Sequence, residues 1–375
     1  MANHLTPEQQ MLQDGVERVV REHGRFEQWR QSTARGEAFD RTVWQQMAEL
    51  GWLGLGLPED QGGFGGNPAD VALVMEGFGR GLLRQPYVSS CVLALRLLSL
   101  STAPAAARLR EGLIDGTKLA TVAVAETQGR FDLGNVQTLA TPLGGAYALS
   151  GDKCWVPDAP TADWIIVPAR LAGREADGIA LFLVPADAAG LQRQDLRSPD
   201  HQHFSSLRLA QVRLDADALI AAPADGLGAL EGAVDHAIVA RLAEACGAMD
   251  AVSAMTLDYI KTRKQFGTTI GSFQALQHRM VDMMIACEEA RSILGPAVQS
   301  LGGAATARRR AVSAAKTRVG QCGLFVGHQA VQLHGGIGTS DELAVSHYLK
   351  RLLMIDLAFG NSDHHLERFA AAVPA

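Results

Sequence analysis

Cysteine is scarce and badly placed for cross-linking. The five residues (Cys91, Cys154, Cys246, Cys287, Cys322) are odd in number, widely spaced, and include no CxxC pair. That excludes a disulfide framework and a thiolate metal knuckle, and it points to a reducing compartment, the cytoplasm. Long apolar runs are missing as well. No stretch approaches the ~18 apolar residues of a membrane span. Residues 1–25 carry Glu8, Asp14, Glu17 and Glu22 without an apolar run, unlike a secretory signal or an acid-poor transit peptide. Blocks of like charge are absent, and the formal net charge is −6. The one short basic run, Arg308-Arg309-Arg310, lies in an Ala-rich helical context and reads as a solvated face, so no nucleic-acid partner is expected. No GxSxG elbow exists for a serine hydrolase. Adjacent His364 and His365 diverge on a helix with no acid pair in reach, and His201 and His203 read as exposed loop residues. No metal site is expected.

What is present is an ordinary globular composition, 47% apolar and 20% charged, in a chain of 375 residues, enough for two or three domains. Residues 1–118 read as a helical domain. Thr6-Pro7-Glu8-Gln9 carries an N-cap, a first-turn proline and a capping box. A helix over 43–50 stops at Gly51, and 51–66 reads as loop, with seven glycines and a proline. Helical patterning resumes at Ala69, and the apolar run 92–100 predicts a buried helix. Between 119 and 225 the period changes. Strand-like runs at 119–125, 147–150, 164–169, 179–184 and 207–212 are separated by Gly144-Gly145, Gly151-Asp152 and Asp177-Gly178 turns. Short strands joined by tight turns predict an antiparallel barrel or sandwich and no doubly wound sheet. From 226 to 375 the chain is helical again. Ile238, Leu242, Ala245, Met249, Val252 and Met255 alternate steps of four and three, the seam of a bundled helix. Further helices start near Phe273, Ala304 and Asp341, which predicts a C-terminal four-helix bundle. The fold class is mixed α and β, mostly α.

Three spots invite chemistry. Gln332-Leu333-His334-Gly335-Gly336-Ile337-Gly338 follows a helix, so it is not the phosphate turn of a dinucleotide fold. It offers a backbone that another group can approach closely, or it is a plain interhelical turn. Tyr259-x-x-x-Arg263-Lys264-Gln265-Phe266-Gly267, followed by Phe273, Gln274, Gln277 and His278, sets an arginine at a helix end beside a glycine turn. Such an arginine binds a phosphate or pyrophosphate, or satisfies helix C-terminal carbonyls. Asp152-Lys153-Cys154-Trp155-Val156-Pro157 places a Trp just after a turn, where it stacks on a planar cofactor or fills barrel core.

In order and spacing these spots resemble the acyl-CoA dehydrogenase family over essentially the whole chain. The segments are GWLGLGLPEDQGGFGG at 51–66, AVAET at 123–127, LSGDKCWV at 149–156, RKQFGTTIGSFQALQH at 263–278 and QLHGGIGTSDELAVSHYLKR at 332–351. The resemblance implies an N-terminal helical domain, a middle β-domain and a C-terminal four-helix bundle. It implies FAD, an acyl-CoA substrate, α,β-dehydrogenation, a tetramer, and electron-transfer flavoprotein as electron acceptor. It implies that Arg263, with Phe266 and Gln274, holds the FAD pyrophosphate of a neighbouring subunit. Gln332, Gly335 and Gly336 would then cradle the neighbour's adenosine side. Val124 and Ala125 would fall in a strand bordering the chain's own flavin, with Trp155 beside the flavin ring.

The departures from the family pattern are specific. The usual base is a Glu in a Glu-Gly-Thr-like segment, which here reads Ala358-Phe359-Gly360-Asn361, so Phe359 stands in the base position. Some members carry the Glu just before the arginine matching Arg241; Ala240 stands there. A flavin-bonding threonine corresponds to Pro157, which has neither hydroxyl nor N–H. The Thr-Glu pair of the family reads Ala125-Glu126, and Phe131 falls near an expected small residue. No catalytic residue is therefore assigned. Motifs serving a neighbour's FAD are intact while those serving the chain's own are eroded. The C-terminal part most resembles the small subunit of pimeloyl-CoA dehydrogenase-type enzymes, which implies a heterotetramer with a homologous large subunit that carries the base. The alternatives are a homotetramer with Glu244, four residues past Ala240, as a relocated base, or a structural subunit.

Overall fold

The computed structural model describes residues 5–172 and 178–372. Asp177 of the expected Asp177-Gly178 turn lies outside them. Helices α1 (Pro7–His23), α2 (Phe26–Ala34), α3 (Arg41–Glu49), α4 (Pro68–Gly81), α5 (Leu95–Ser99) and α6 (Pro104–Ile114) come first. Strands β1 (Ala120–Val122), β2 (Leu139–Pro142), β3 (Ala146–Pro157) and β4 (Trp164–Leu171) follow, then β5 (Ile179–Pro185), β6 (Leu191–Arg197), β7 (His203–Asp215) and β8 (Leu219–Ala221). Helix α7 (Pro223–Thr262) leads to a small hairpin, β9 (Lys264–Gln265) and β10 (Thr268–Thr269). Helices α8 (Gln274–Ser300), α9 (Ala305–His334), α10 (Ala344–Leu357) and α11 (Ser362–Ala371) complete the chain.

The chain divides into two compact units. One, mainly helical, comprises Met1–Gly36, Pro68–Leu83 and Ile238–Ala375. Its first helix starts as the sequence dictates: Thr6 accepts from the Gln9 N–H and Gln9 reaches back to the Thr6 N–H, both at 3.2 Å. The α7 seam is buried through Ile238, Leu242, Ala245, Met249 and Val252, and Met255 is half-buried. Burying each large apolar side chain contributes about 1.5–3 kcal/mol. Ala240, Ala243, Glu244 and Ala248 are buried too, so α7 is enclosed on several sides and is central to this unit. Helix α4 crosses it backbone to backbone at two glycines, one on each helix. A methyl group on Gly79 would run into the Glu244 carbonyl, and one on Gly247 into the Glu76 carbonyl.

The other unit comprises Glu37–Asn67 and Arg84–Ala237. Its sheet runs β6-β7-β3-β2-β4-β5-β8, with β1 paired to β4; pairing is antiparallel except β1–β4 and β2–β4. Leu209 and Leu214 of β7 and Phe182 and Val184 of β5 share one core with Leu149 and Val167, so the sheet closes over on itself. The expected β-domain is thus found, with more strands than the apolar pattern revealed. Strand β6 reads LQRQDLR, an edge strand with no buried residue, and β2 and β8 are short. The 51–66 loop is not structureless: it holds 3₁₀ turns at Trp52–Gly54 and Glu59–Gln61. The apolar run expected as one helix over 92–100 is a π-helical segment (Val88–Ala94) passing into α5; it is buried through Leu98, while Leu100 is exposed. His201 and His203, expected to be exposed, are half-buried, and His203 opens strand β7 because pairing with Arg197 begins there.

Candidate functional site

At one end of the helical unit α7 stops at Thr262. The Arg263 N–H closes on the Tyr259 carbonyl at 2.8 Å, and the Arg263 carbonyl accepts from Ile270 N–H at 2.9 Å. That clamp sets up the β9–β10 hairpin, whose two turn residues, Phe266 and Gly267, both take positive φ (+55° and +80°). A two-residue hairpin of this twist needs that geometry, which costs a side-chain-bearing residue about 1–2 kcal/mol. The Phe266 ring nevertheless stands 91% exposed, edge-on to Phe273 with ring centroids 6.2 Å apart. The Arg263 guanidinium is exposed and meets no side-chain partner among the described residues. Gln274 is exposed in the first turn of α8, whose N-terminus has no side-chain cap.

The Gln332–Gly338 motif lies at the same end. Tyr259 of α7 stacks on His334 of α9 at 4.4 Å and donates its hydroxyl to the His334 carbonyl at 3.4 Å. His334 is buried, and its Nδ1–H donates to the Ala330 carbonyl at 2.8 Å. Burial holds its pKa below the ordinary imidazole value. Gln332, Gly335 and Gly336 are exposed. Gly335 has φ +64°, and an added methyl at either glycine would meet nothing within 4 Å. Arg263, Phe266, Gln274, Gln332, Gly335 and Gly336 therefore share one end of one unit: an exposed cation, amide side chains, an exposed ring and uncovered backbone. That donor set fits a pyrophosphate with an attached ring system.

Trp155, Val124 and Ala125 lie in the sheet-bearing unit. Lys153 pairs with Leu207 and Val156 with Ser205, so two residues of β3 oppose one of β7, a β-bulge. The bulge puts Trp155 at φ +50° and turns its ring outward, 53% exposed, edge-on to Phe204 at 5.5 Å. Of the two roles open to this Trp, barrel core is excluded. Val124 and Ala125 are expected within a strand, but β1 ends at Val122. The Val124 N–H turns back to the Val122 carbonyl at 3.1 Å and breaks the ladder. Both residues are half-buried, and Ala125 is tied in when its carbonyl accepts from Cys154 N–H at 2.9 Å.

Beneath them is a pairing that the sequence does not announce. Glu126 and Lys153 form a fully buried ion pair at 2.6 Å. The carboxylate also accepts from Gln137 N–H (2.7 Å), Thr138 N–H (3.1 Å), the Thr138 hydroxyl (2.7 Å) and the Gln128 amide (2.7 Å). Burial opposes its charge, yet Lys153 and these donors outweigh that and hold its pKa down to about 2. One carboxylate thus fastens the excursion between β1 and β2. Pro157 closes β3, where its carbonyl accepts from the Thr121 hydroxyl at 2.6 Å.

The Ala358–Asn361 turn belongs to the helical unit and joins α10 to α11. Phe359 takes φ +58° and Gly360 φ +111°. Neither Phe359 nor the buried Ala240 can accept a proton. Glu244 is 1% exposed and locked: Oε1 accepts from Arg351 Nε at 2.6 Å, Oε2 from Arg241 Nη1 at 2.7 Å. Burial alone would raise its pKa, but Arg351 and then Arg241 overcome burial and keep it below the carboxylate range. An anion neutralised by two guanidiniums is a poor base.

Three family profiles match in sequence order: acyl-CoA dehydrogenase N-terminal domain over residues 6–117, middle domain over 121–212 and C-terminal domain over 224–373. The solved structure of a variant of the Tcur3481–Tcur3483 steroid ACAD is 30% identical with TM-score 0.87, covering 97% of both chains. The chain belongs to the acyl-CoA dehydrogenase family. Members of this family are FAD-dependent oxidoreductases acting on CH–CH donors. The probable acyl-CoA dehydrogenase YngJ of Bacillus subtilis is 29% identical, over 96% of each chain. The ChsE4–ChsE5 complex from Mycobacterium tuberculosis aligns with TM-score 0.89 at 27% identity over 100% of both chains. No helix among the described residues is long and apolar enough to cross a membrane.

Proposed function

We propose that this acyl-CoA dehydrogenase-family chain works in α,β-dehydrogenation of an acyl-CoA thioester as the base-less half of a heterotetramer, a homologous large subunit supplying the base. The observation that carries this is Phe359, an aromatic ring on the turn where the family places its glutamate. The α-carbon of a thioester is a weak acid and needs a proton acceptor at hydrogen-bond distance, about 3 Å. Phe359 and Ala240 offer none, and Glu244 has both oxygens committed. A heteromeric neighbour, the ChsE4–ChsE5 complex, supports pairing with a second chain type. The small subunit of pimeloyl-CoA dehydrogenase-type enzymes is the kind of chain proposed, with division at 1–118, 119–225 and 226–375.

FAD, when bound, supplies the hydride acceptor. Arg263 would pair with its pyrophosphate, with Gln274 and Phe266 alongside, and Gln332, Gly335 and Gly336 would flank the adenosine portion on a neighbouring subunit. Trp155, aimed outward by its bulge, would cover a flavin ring beside Val124 and Ala125. Pro157 withholds the hydrogen-bond donor that a threonine gives there, so the chain's own flavin side is the weaker one. Electron-transfer flavoprotein is the proposed acceptor, and the cytoplasm, consistent with five free cysteines, the proposed location.

The test is to purify the chain alone and with its native partner, measure flavin per chain, and assay acyl-CoA oxidation with an artificial acceptor. Half-stoichiometric flavin in an active complex and an inactive lone chain are expected. Brisk turnover by the lone chain would sink the proposal. A homotetramer with Glu244 as relocated base is disfavoured by the two-arginine clamp. A subunit that binds no flavin predicts a colourless chain when it is purified alone.

A further inference from the structure

The Phe359 turn is held by a buried polar network that spans three helices of the helical unit and that the proposed function does not use. Upstream, Lys316 of α9, 1% exposed, donates its Nζ to the last carbonyls of α10, those of Ile355 and, at 2.9 Å, Asp356. Downstream, the Asn361 side chain caps α11 by accepting from His364 N–H at 3.0 Å, and Ser362 donates to the Asp356 carboxylate at 2.7 Å. Between them stands His365, 1% exposed, with Nε2 at 3.0 Å from the Phe359 carbonyl and Nδ1 at 3.2 Å from the Ser313 hydroxyl. Arg368 approaches the same hydroxyl at 3.2 Å.

The direction of every bond in this chain follows from what each group can do. A guanidinium only donates, so the Ser313 oxygen accepts from Arg368. A carbonyl only accepts, so the proton facing Phe359 must sit on Nε2. The Ser313 hydroxyl hydrogen then points to Nδ1, which is left as an acceptor. Around the ring stand Lys316 from α9 and Arg368 and His364 from α11, all cationic or potentially so. A second ring proton would join that positive group in a buried site, and the ring pKa is accordingly pushed down to about 3, chiefly by burial. Gly360 completes the arrangement, since a methyl there would strike the rings of His364 and His365.

We propose that His365, oriented by Ser313 and Arg368, is a positioning residue: its Nε2–H fixes the Phe359 carbonyl, and with it the left-handed backbone that presents the side chain at 359. This rests on the proposed function in one respect, that position 359 faces the thioester. The network grips backbone atoms and is indifferent to the side chain, so it holds the turn whichever residue stands at 359.

Two measurements separate the parts. In the full chain labelled at histidine nitrogens and carbons, the His365 ring, assigned by comparison with His365→Gln, is expected as a neutral Nε2–H tautomer unchanged between about pH 5 and pH 8. Ser313→Ala is expected to release the lock and mix the tautomers. An Nδ1–H tautomer, titration inside that range, or an unaltered Ser313→Ala spectrum would overturn the relay. The second measurement installs the carboxylate, Phe359→Glu, and follows exchange of the thioester α-hydrogen in deuterated water, a proton leaving carbon for the carboxylate and a deuteron returning. Adding His365→Ala is expected to lower the exchange rate about tenfold with substrate KM unchanged, and His365→Gln, which keeps an N–H, to recover most of it. Equal rates for all three would overturn the positioning role. If Phe359→Glu gives no exchange at all, the placement of the thioester falls, and the ring spectra alone decide the relay.

Discussion

Two turns of this molecule carry the same dipeptide, Phe266-Gly267 and Phe359-Gly360, with all four residues at positive φ. Their surroundings are opposite. Phe266 sits on a hairpin of two short strands with its ring in solvent, and the strain there serves presentation. Phe359 is half-buried, and its backbone is gripped from below by His365 while Lys316 holds the preceding helix end. Strain at the first turn goes with an outward-facing donor set. At the second it goes with a backbone held by buried polar groups, and strain of this kind persists only where its surroundings over-determine it.

The contrast breaks most decisively at the second turn. Phe359→Glu should speed removal of the thioester α-proton by about 10²–10⁴-fold over the unaltered chain, the range of a positioned general base; exchange of that hydrogen in deuterated water measures it. Next in size is Glu244→Ala. It removes the carboxylate shared by the buried Arg351 and the half-buried Arg241 and should cost about 3–5 kcal/mol in chemical denaturation, with no change in the pH dependence of activity. The sign with pH is definite. Glu244 is more acidic folded than its ordinary 4.5, so its contribution is complete above about 4.5 and fades as pH falls below it. Glu244→Gln should flatten that acid-side slope. At the first turn, Arg263→Ala should weaken flavin retention by about 1.5–3 kcal/mol, read as flavin absorbance per chain after gel filtration. Arg263→Lys should recover only part, lacking the bidentate fork. The smallest effect sharpens the comparison. Phe266→Gly relieves left-handed strain with little packing to lose and should raise stability by up to about 1 kcal/mol, whereas Phe359→Gly should come out near zero because lost ring burial offsets the relief.

Much of the fold was legible because periodicity reports it directly. The α7 seam, the Thr6 capping box and the change to strands after residue 119 all appear as expected. Strand β6 escaped because an edge strand with seven largely polar residues has no alternation to read. The end of β1 escaped because Val124 breaks the ladder by a local backbone bond that no residue type announces. At the site, the Arg263 and Gly335 motifs were visible as residue types, and the structure gathers them through the Tyr259–His334 stack. The outward turn of Trp155 depends on a one-residue slip against β7, which the sequence of β3 alone does not encode. Glu126–Lys153, Glu244–Arg351 and His365–Ser313 were invisible because their members stand 27, 107 and 52 positions apart. Pairing between side chains so far apart in sequence leaves no periodic trace.

The crossing of α4 over α7 has a bearing on how this chain can change over time. Because Gly79 meets the Glu244 carbonyl and Gly247 meets that of Glu76, main chain rests on main chain, with no intervening side chain to absorb a misfit. Neither glycine can drift alone: even one methyl group on either would lever the two helices apart at the level of Glu244. The crossing therefore has no room for an added atom, whereas the side chain at 359 can be exchanged without loosening its support, which grips backbone atoms.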